Sequence, residues 1–330
     1  MKDRVAILGA GSWGTALAIE LARSGHEVLL WGRDPEVAAR IEADGRHPRR
    51  LTDYPIPAGT RVSADLAEAF GFGATILVAV PCASLRPLLQ LSPSGPGAGL
   101  RLVSTGKGIE PETLKRMSEI LRERYREAQI AALSGPTFAE GVARGDPTAA
   151  VIASREPAAA EGLQGSLSSG TFRLYRSDDL VGVELAGALK NVVAIAAGIV
   201  SGLGFGPNTL AALVTRGLAE IGRIVRSQGG QDRTVQGLAG IGDLMLTCTG
   251  QQSRNRHVGE QIGRGRKLAD VLVEMPEVAE GARTCLAVPR LAGAAGVEAP
   301  IADAVVQVLY EGVPAREAVD RLMTRALRPE

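Results

Sequence analysis

Aromatic side chains are scarce in this chain, with five Phe, four Tyr and two Trp among 330 residues. A chain with 3% aromatics has little to offer as a platform for stacking nucleic-acid bases. Cysteine is rarer still. Cys82, Cys248 and Cys285 stand far apart with no CxxC pair, which predicts reduced thiols and excludes a disulfide framework. The three histidines, His26, His47 and His257, match no metal-ligand spacing, so no metal is expected. Charge of one sign is missing as well. Lys+Arg total 37 against 36 for Asp+Glu, a net charge of +1, which gives no electrostatic reason for a nucleic acid or an anionic membrane as partner. No uninterrupted apolar run reaches the roughly 18 residues of a membrane span. The opening MKDRVAILGAG enters a strand pattern at once, without the apolar stretch of a signal peptide. Together these absences predict a cytoplasmic chain, and its length suits two domains of roughly 100–200 residues each.

What is present is a change of texture part-way along. Short continuous apolar runs at 5–8, 27–31, 75–80, 100–104, 129–133, 149–152 and 171–175 alternate with helical patterns at 15–24, 35–43, 83–91 and 112–124. Apolar strands separated by helices predict a parallel, doubly wound sheet covered on both faces. Beyond about residue 178 the strand-like runs stop. Helical patterns at 181–202, 209–227, 257–264, 268–274, 284–295, 301–310 and 315–327 follow, punctuated by glycine and proline. The expectation is an α/β domain over 1–178 and an all-α domain over 179–330.

The first apolar run leads into Gly9-Ala10-Gly11-Ser12-Trp13-Gly14, a GxGxxG match placed after a strand and before an apolar helix. That context makes it a dinucleotide fingerprint of the Rossmann type. Gly9 permits the tight turn, Gly11 lets the backbone approach a pyrophosphate, and Gly14 lets helix and strand pack closely. The helix start then presents N–H groups to the anion. The second strand ends at Trp31-Gly32-Arg33, with glycine where an acid would accept the ribose hydroxyls. Arg33 there favours or tolerates a 2′-phosphate, hence NADP(H). Asp34-Pro35 reads as a helix cap with proline in the first turn.

Three further clusters place polar groups in unusual surroundings. Lys107 lies between Gly106 and Gly108 just past a strand's carboxyl end, the edge where open α/β sheets bind ligands. Lys190 interrupts a helix that is apolar on nearly all sides. A buried ammonium loses hydration and its pKa falls, a route to a lysine that exchanges protons near neutrality. Asp243 occupies a glycine-flanked turn, Gly240-Ile241-Gly242-Asp243, where a carboxylate wants a cation such as Lys190. Ser253 reads as a helix cap that puts Arg254 and Asn255 in the first turn, a receptor for phosphate. Arg256 reads as part of a solvated face.

At these residues the chain resembles the NAD(P)-dependent, bacterial-type glycerol-3-phosphate dehydrogenases along essentially its whole length. The resemblance rests on GAGSWGTALA (9–18), VSTGKGIE (103–110), SGPTFAEGV (134–142), ELAGALKNVVAIAAGI (184–199), GIGDLMLT (240–247), SRNR (253–256) and VAEG (278–281). It implies reversible hydride transfer between NAD(P)H and dihydroxyacetone phosphate, giving sn-glycerol 3-phosphate for phospholipid synthesis. By that similarity Lys190 is the acid/base, Lys107 holds substrate and cofactor, and Asp243 orients Lys190. Gly135 and Thr137 line the substrate site, and Ser253, Arg254 and Asn255 grip the phosphate. Ser12, Trp13, Arg33, Ala139, Arg254, Val278 and Glu280 contact the dinucleotide, with Asn191 and Thr247 as further contacts. One stretch, 45–50, is more basic than the family pattern.

Two other readings use the same residues. A related reductase or β-hydroxyacid dehydrogenase would turn the 253–256 cluster on a carboxylate, and an NAD(P) sensor without turnover would leave Lys190 and Asp243 idle. Monomer and homodimer both remain open, since Gly/Ala-rich helices pack equally well within a chain or across an interface.

Overall fold

The computed structural model describes residues 2–275 and 277–326. The chain forms two compact units. The first comprises Met1–Gly106 and Arg116–Val183, and the second Lys107–Lys115 and Glu184–Glu330.

The first unit is a sheet wrapped by helices. Its elements are β1 (Arg4–Leu8), α1 (Ser12–Arg23), β2 (Glu27–Trp31), α2 (Pro35–Asp44), β3 (Arg61–Ser63), α3 (Leu66–Phe72), β4 (Thr75–Val78) and α4 (Cys82–Leu91). Then come β5 (Arg101–Ser104), α5 (Met117–Arg124), β6 (Gln129–Ser134), α6 (Ala139–Arg144), β7 (Thr148–Ser154), α7 (Pro157–Leu167) and β8 (Phe172–Ser177). The eight strands lie in the order β3-β2-β1-β4-β5-β6-β7-β8. Successive side chains of a strand point to opposite faces. Val5 and Ile7 therefore enter one core, with Leu17, Val28 and Leu30. Ala6 and Leu8 enter the other, with Leu29, Leu85 and Leu102. Both faces are covered, which is why the strands read as unbroken apolar runs.

Three details differ from the sequence reading. The sheet is not wholly parallel, because β6 and β7 pair antiparallel. The link between them holds only α6, six residues long. Such a helix climbs about 9 Å, too little to carry the chain back along a strand of about 20 Å. The three-residue β3 adds an edge strand that its sequence, Arg61-Val62-Ser63, does not announce. The helix expected from 112 begins only at Met117, since Leu114 takes a left-handed φ of 61°.

The second unit has no strand among its described residues. Its helices are α8 (Leu180–Gly202, rooted in the first unit), α9 (Pro207–Ser227), α10 (Asp232–Val235), α11 (Asp243–Thr249), α12 (Arg254–Gly263) and α13 (Leu268–Glu274). After them come α14 (Glu280–Thr284), α15 (Val288–Ala294), α16 (Pro300–Tyr310) and α17 (Ala315–Met323). The helical pattern at 284–295 resolves into α14 and α15, and Leu327, the last residue of the expected final helix, lies outside the described residues. Among the described residues α8 alone is long and apolar enough to cross a membrane, and 94% of that stretch is buried inside the protein. Helix α8 is therefore a core helix.

Helices α8 and α12 meet backbone to backbone. A Cβ on Gly259 would strike the carbonyl oxygen of Ile195, and one on Gly198 that of Arg256. Gly202 and Gly263 meet one turn further along. Glycine at 198 and 202 facing glycine at 259 and 263 lets the two axes approach as no other residue would. We expect Gly259→Ala to destabilise the protein by about 3 kcal/mol through overpacking. Gly293→Ala, on the exposed side of α15 with open space around it, gains about 0.5–1 kcal/mol of helix propensity. Urea unfolding of the two variants checks the contrast, and equal effects refute the close-contact assignment.

Candidate active site

In the first unit the turn after β1 has the shape that a dinucleotide requires. Gly9 takes φ 116°, and a Cβ there would lie 2.7 Å from the Ala79 carbonyl oxygen. A Cβ on Gly14 would strike the carbonyl oxygen of Gly9. Gly11, in contrast, faces open space, with nothing within 4 Å of a Cβ position, and as the N-cap of α1 it has no side chain to cover the helix start. A helix start capped by an open glycine is a cradle for a pyrophosphate, so these residues fit the cofactor that the motif implies. Ser12 and Trp13 open α1, and Trp13 leans on the core beneath.

The tip of β2 sits against the same turn, where a Cβ on Gly32 would lie 3.2 Å from the Ala10 methyl. Arg33 next to it is exposed. Asp34 is committed elsewhere, because its Oδ1 accepts from Glu36 N at 3.0 Å and Val37 N at 3.3 Å to cap α2. Gly135, Thr137 and Ala139 lie where β6 passes into α6. Gly135 has φ 149°, the Thr137 hydroxyl donates to the Gly135 carbonyl at 3.2 Å, and Ala139 opens the helix.

In the second unit two lysines converge on one carboxylate. Asp243, 1% exposed, follows a π-helical turn over Leu238–Gly242. Gly240 in that turn is pressed so tightly onto the backbone of Val235 that a Cβ would clash with it. Such wide turns often mark functional positions. Lys190 on α8, 5% exposed, donates from Nζ to Asp243 Oδ1 and to Thr247 Oγ1 at 2.7 Å. Lys107 donates to the other oxygen, Asp243 Oδ2, at 2.6 Å. Thr247 in turn donates to the Asp243 carbonyl at 2.6 Å. Burial pushes the Lys190 ammonium down to about 7; Asp243 opposes the fall and Lys107 adds to it. A lysine in that range gives up and takes back a proton near neutral pH.

A chain of amides leads away from this cluster. Asn191 Nδ2 donates to the Lys107 carbonyl at 3.1 Å, Asn255 Nδ2 donates to Asn191 Oδ1 at 2.9 Å, and Gly281 N donates to Asn255 Oδ1 at 2.9 Å. Asn255 belongs to the first turn of α12, where Ser253 is the cap and accepts from Arg256 N at 3.2 Å. Arg254 is half-exposed and pairs with Glu277 at 3.0 Å. Arg256 is not on a solvated face, since its side chain is mostly covered and its Nε is buried without a hydrogen-bond partner. Val278 is exposed, and Glu280 opens α14. Lysine 107 on Asp243, and the Asn191–Asn255 link, were not foreseen; the only hint in the sequence is that two amides sit one residue from groups already suspect. Among the described residues no group of three His, Cys, Asp or Glu side chains is placed to hold a metal.

Known proteins carry the same pattern. The NAD-dependent glycerol-3-phosphate dehydrogenase N-terminus matches residues 4–160, and the C-terminus of that family matches 179–320. The chain belongs to the NAD-dependent glycerol-3-phosphate dehydrogenase family. It is 48% identical over 336 residues to the glycerol-3-phosphate dehydrogenase [NAD(P)+] of Geobacter sp. (strain M21), across 100% of this chain and 99% of that one. The Chlorobium phaeobacteroides enzyme of the same name is 46% identical, over 99% of each. A solved glycerol-3-phosphate dehydrogenase from Coxiella burnetii superposes with a TM-score of 0.91 at 37% identity, covering 98% of this chain and 99% of its own. A ketopantoate reductase from Ralstonia eutropha, at 19% identity and a TM-score of 0.61, shares the fold alone. A member of this family is an oxidoreductase that uses NAD(P).

The charge arrangement has a measurable consequence. Asp243 raises the Lys190 pKa, so Asp243→Asn removes that support while burial and Lys107 still depress it. We expect Lys190 in this variant to titrate clearly below the value of about 7 found with the carboxylate in place. Nitrogen-15 NMR of the lysine Nζ follows this without any turnover, and an unmoved titration refutes the pairing.

Proposed function

We propose that the chain interconverts dihydroxyacetone phosphate and sn-glycerol 3-phosphate, with NAD(P)H as the hydride donor in the direction of reduction. The observation that carries this reading is Lys190, a buried lysine poised near neutrality and fixed by Asp243 and Thr247. Reduction of a ketone adds a hydride at carbon and a proton at oxygen. The cofactor, when bound, supplies the hydride.

The chain's own residues do the rest. Lys190 Nζ donates the proton to the carbonyl oxygen, and in the reverse direction takes it from the hydroxyl. Asp243 and Thr247 fix the position of Nζ, and Lys107, a cation on the same carboxylate, stabilises negative charge building on the oxygen. Ser253, Arg254 and Asn255 at the start of α12 receive the phosphate, for which Arg254 exchanges its pairing with Glu277. Gly9, Gly11 and Gly14 set the turn that holds the cofactor, with Ser12, Trp13 and Arg33 beside it. The product is a precursor for glycerophospholipids. Three buried thiols with no disulfide among them support a reducing, cytoplasmic setting.

Oxidation of NAD(P)H on adding dihydroxyacetone phosphate, followed at 340 nm, is the direct test, and no turnover sinks the reading. The reduction requires protonated Lys190, so its rate is full below about 7 and falls as pH rises through that value, while the reverse oxidation rises. We expect Lys190→Ala to lower kcat by roughly 10²–10⁴-fold with the dissociation constant for NAD(P)H within about twofold of the parent's. A Lys190→Arg enzyme with near-normal kcat and an unchanged pH profile removes the acid/base role. Arg254→Ala should lower kcat/KM for dihydroxyacetone phosphate by roughly 30- to 1,000-fold and spare unphosphorylated dihydroxyacetone. Equal losses on both substrates take the phosphate away from Arg254.

A further inference from the structure

Helix α14 spans only Glu280–Thr284, too short to hold itself, since helices of fewer than about 12–15 residues are marginal alone. Its place is set by what grips it. The Gly281 N–H donates to Asn255 Oδ1 at 2.9 Å, and a Cβ on Gly281 would lie 2.6 Å from the Asn191 carbonyl oxygen. Just ahead of the helix Glu277 pairs with Arg254. Asn255 and Arg254 both belong to the first turn of α12. The Ala282 carbonyl, in turn, accepts from the Tyr310 hydroxyl at 2.5 Å and from Cys285 Sγ at 3.1 Å. Burial, with Cys285 beside it, pushes the Tyr310 hydroxyl up to about 12, so it stays a donor near neutral pH.

Tyr310 is the last residue of α16, and the first turn of that helix is fastened too. Pro300 has no N–H, and Asp303 N donates to the Ala299 carbonyl at 2.9 Å. The N–H groups of Ile301 and Ala302 are left, and the N-cap, Ala299, has no side chain that could accept from them. Glu220 reaches across from α9 to supply what the cap lacks. Its Oε2 accepts from Ile301 N at 2.9 Å and its Oε1 from Ala302 N at 3.0 Å. Glu220 is 3% exposed, and burial pushes it up to about 7 against the pull of these two donors, so above that value the cap is a carboxylate. Between its fastened ends α16 buries Ile301, Ala302, Val305 and Leu309, one stripe of the helix. Its eleven residues span about 16 Å.

We propose that α16 is a strut, anchored on α9 by Glu220, and that Tyr310 at its far end is a positioning residue that holds α14 against the first turn of α12. The inference rests on the phosphate-receiving role proposed above for Arg254 and Asn255, and it assigns part of the substrate affinity to two side chains outside that receptor. Without the Tyr310 hydroxyl, Gly281 no longer bears firmly on Asn255, and the receptor loses its fixed shape. The contacts of Lys190 and Lys107 with Asp243 do not pass through α14, so the proton step keeps its rate.

Kinetics at pH 8, and hydrogen exchange on the ligand-free full-length protein, read the strut. Tyr310→Phe keeps the ring and removes the hydroxyl. We expect it to raise KM for dihydroxyacetone phosphate roughly 3- to 10-fold, the loss of one hydrogen bond, with kcat within about twofold of the parent's. Unphosphorylated dihydroxyacetone should keep its kcat/KM within about twofold, and the amides of 281–285 should exchange at least about threefold faster. Glu220→Gln, which offers one acceptor where two are needed, should reproduce this pattern from the other end of the helix. Sites this far apart ordinarily act independently, so a double variant no worse than the weaker of the two single ones is the signature of a strut. If a thermal melt shows that Glu220→Gln fails to fold, Tyr310→Phe decides alone. An unchanged KM in Tyr310→Phe overturns the strut, as do equal losses on both substrates or losses that multiply in the double variant. A parent protein that turns over dihydroxyacetone phosphate while Tyr310→Phe matches it in every reading refutes the strut and leaves the activity standing. A parent protein with no turnover refutes the activity, and the exchange comparison then decides the strut.

Discussion

A carboxylate as deeply buried as that of Asp243 costs several kcal/mol of lost hydration unless cations stand against it, and here two do. Much of the second unit follows from that requirement. Lys190 reaches one oxygen from the middle of α8, a helix otherwise apolar enough to pass for a membrane span. Lys107 reaches the other from the nine-residue segment Lys107–Lys115, which follows β5 in the chain and belongs to the second unit. The excursion is held at more than its charged end: Asn191 donates to the Lys107 carbonyl, and Arg290 donates to the Pro111 carbonyl at 2.5 Å. A segment that an unbroken αβ pattern would assign to the first domain thus packs with the second because its lysine is needed there.

Position, as opposed to charge, comes from glycine. Asp243 follows a wide π-helical turn whose Gly240 lies flat on Val235, and a side chain at 240 would lift the carboxylate out of line. The glycines of α8 and α12 draw those two helices together further along. Asn191 and Asn255 face one another at 2.9 Å near the start of that contact. Amide to amide, the link runs from the backbone of Lys107 to the first turn of α12. Hydrogen bonds among groups this deeply buried gain strength from the low local dielectric, and they tie the Asp243 cluster to the first turn of α12.

How legible this was varied with the kind of signal. The dinucleotide turn could be read outright, because each glycine answers a separate steric demand and the spacing between demands is fixed. The apolar strands and the long helices could be read from periodicity. The reversal of β7 could not, since direction depends on how far α6 can carry the chain and not on any pattern within β7. The three residues of β3 carry no run to detect. In the site, Lys190 was legible as an anomaly, a charge in an apolar helix. The second lysine on Asp243 was not, because a glycine-flanked lysine past a strand looks the same whether it faces solvent or a carboxylate 136 residues on.

The buried cluster also determines which way a proton moves most easily. Protonated, Lys190 and Lys107 place two positive charges on one carboxylate in a region of low dielectric. Once Lys190 gives up its proton, a balanced Lys107–Asp243 pair remains. Burial, the largest influence on Lys190, favours the neutral lysine, and Lys107 favours it too; only Asp243 resists. Loss of the proton from Lys190 therefore relieves the crowding of positive charge around Asp243, which makes the buried ammonium a stronger acid than a solvated one. Asp243 sets the limit. Without its carboxylate Lys190 would stay neutral through the neutral pH range and have no proton to give, whereas a fully solvated ion pair would leave its pKa near 10, too high for ready exchange. Two cations on one buried carboxylate fall between those extremes, and the value of about 7 is what that compromise produces.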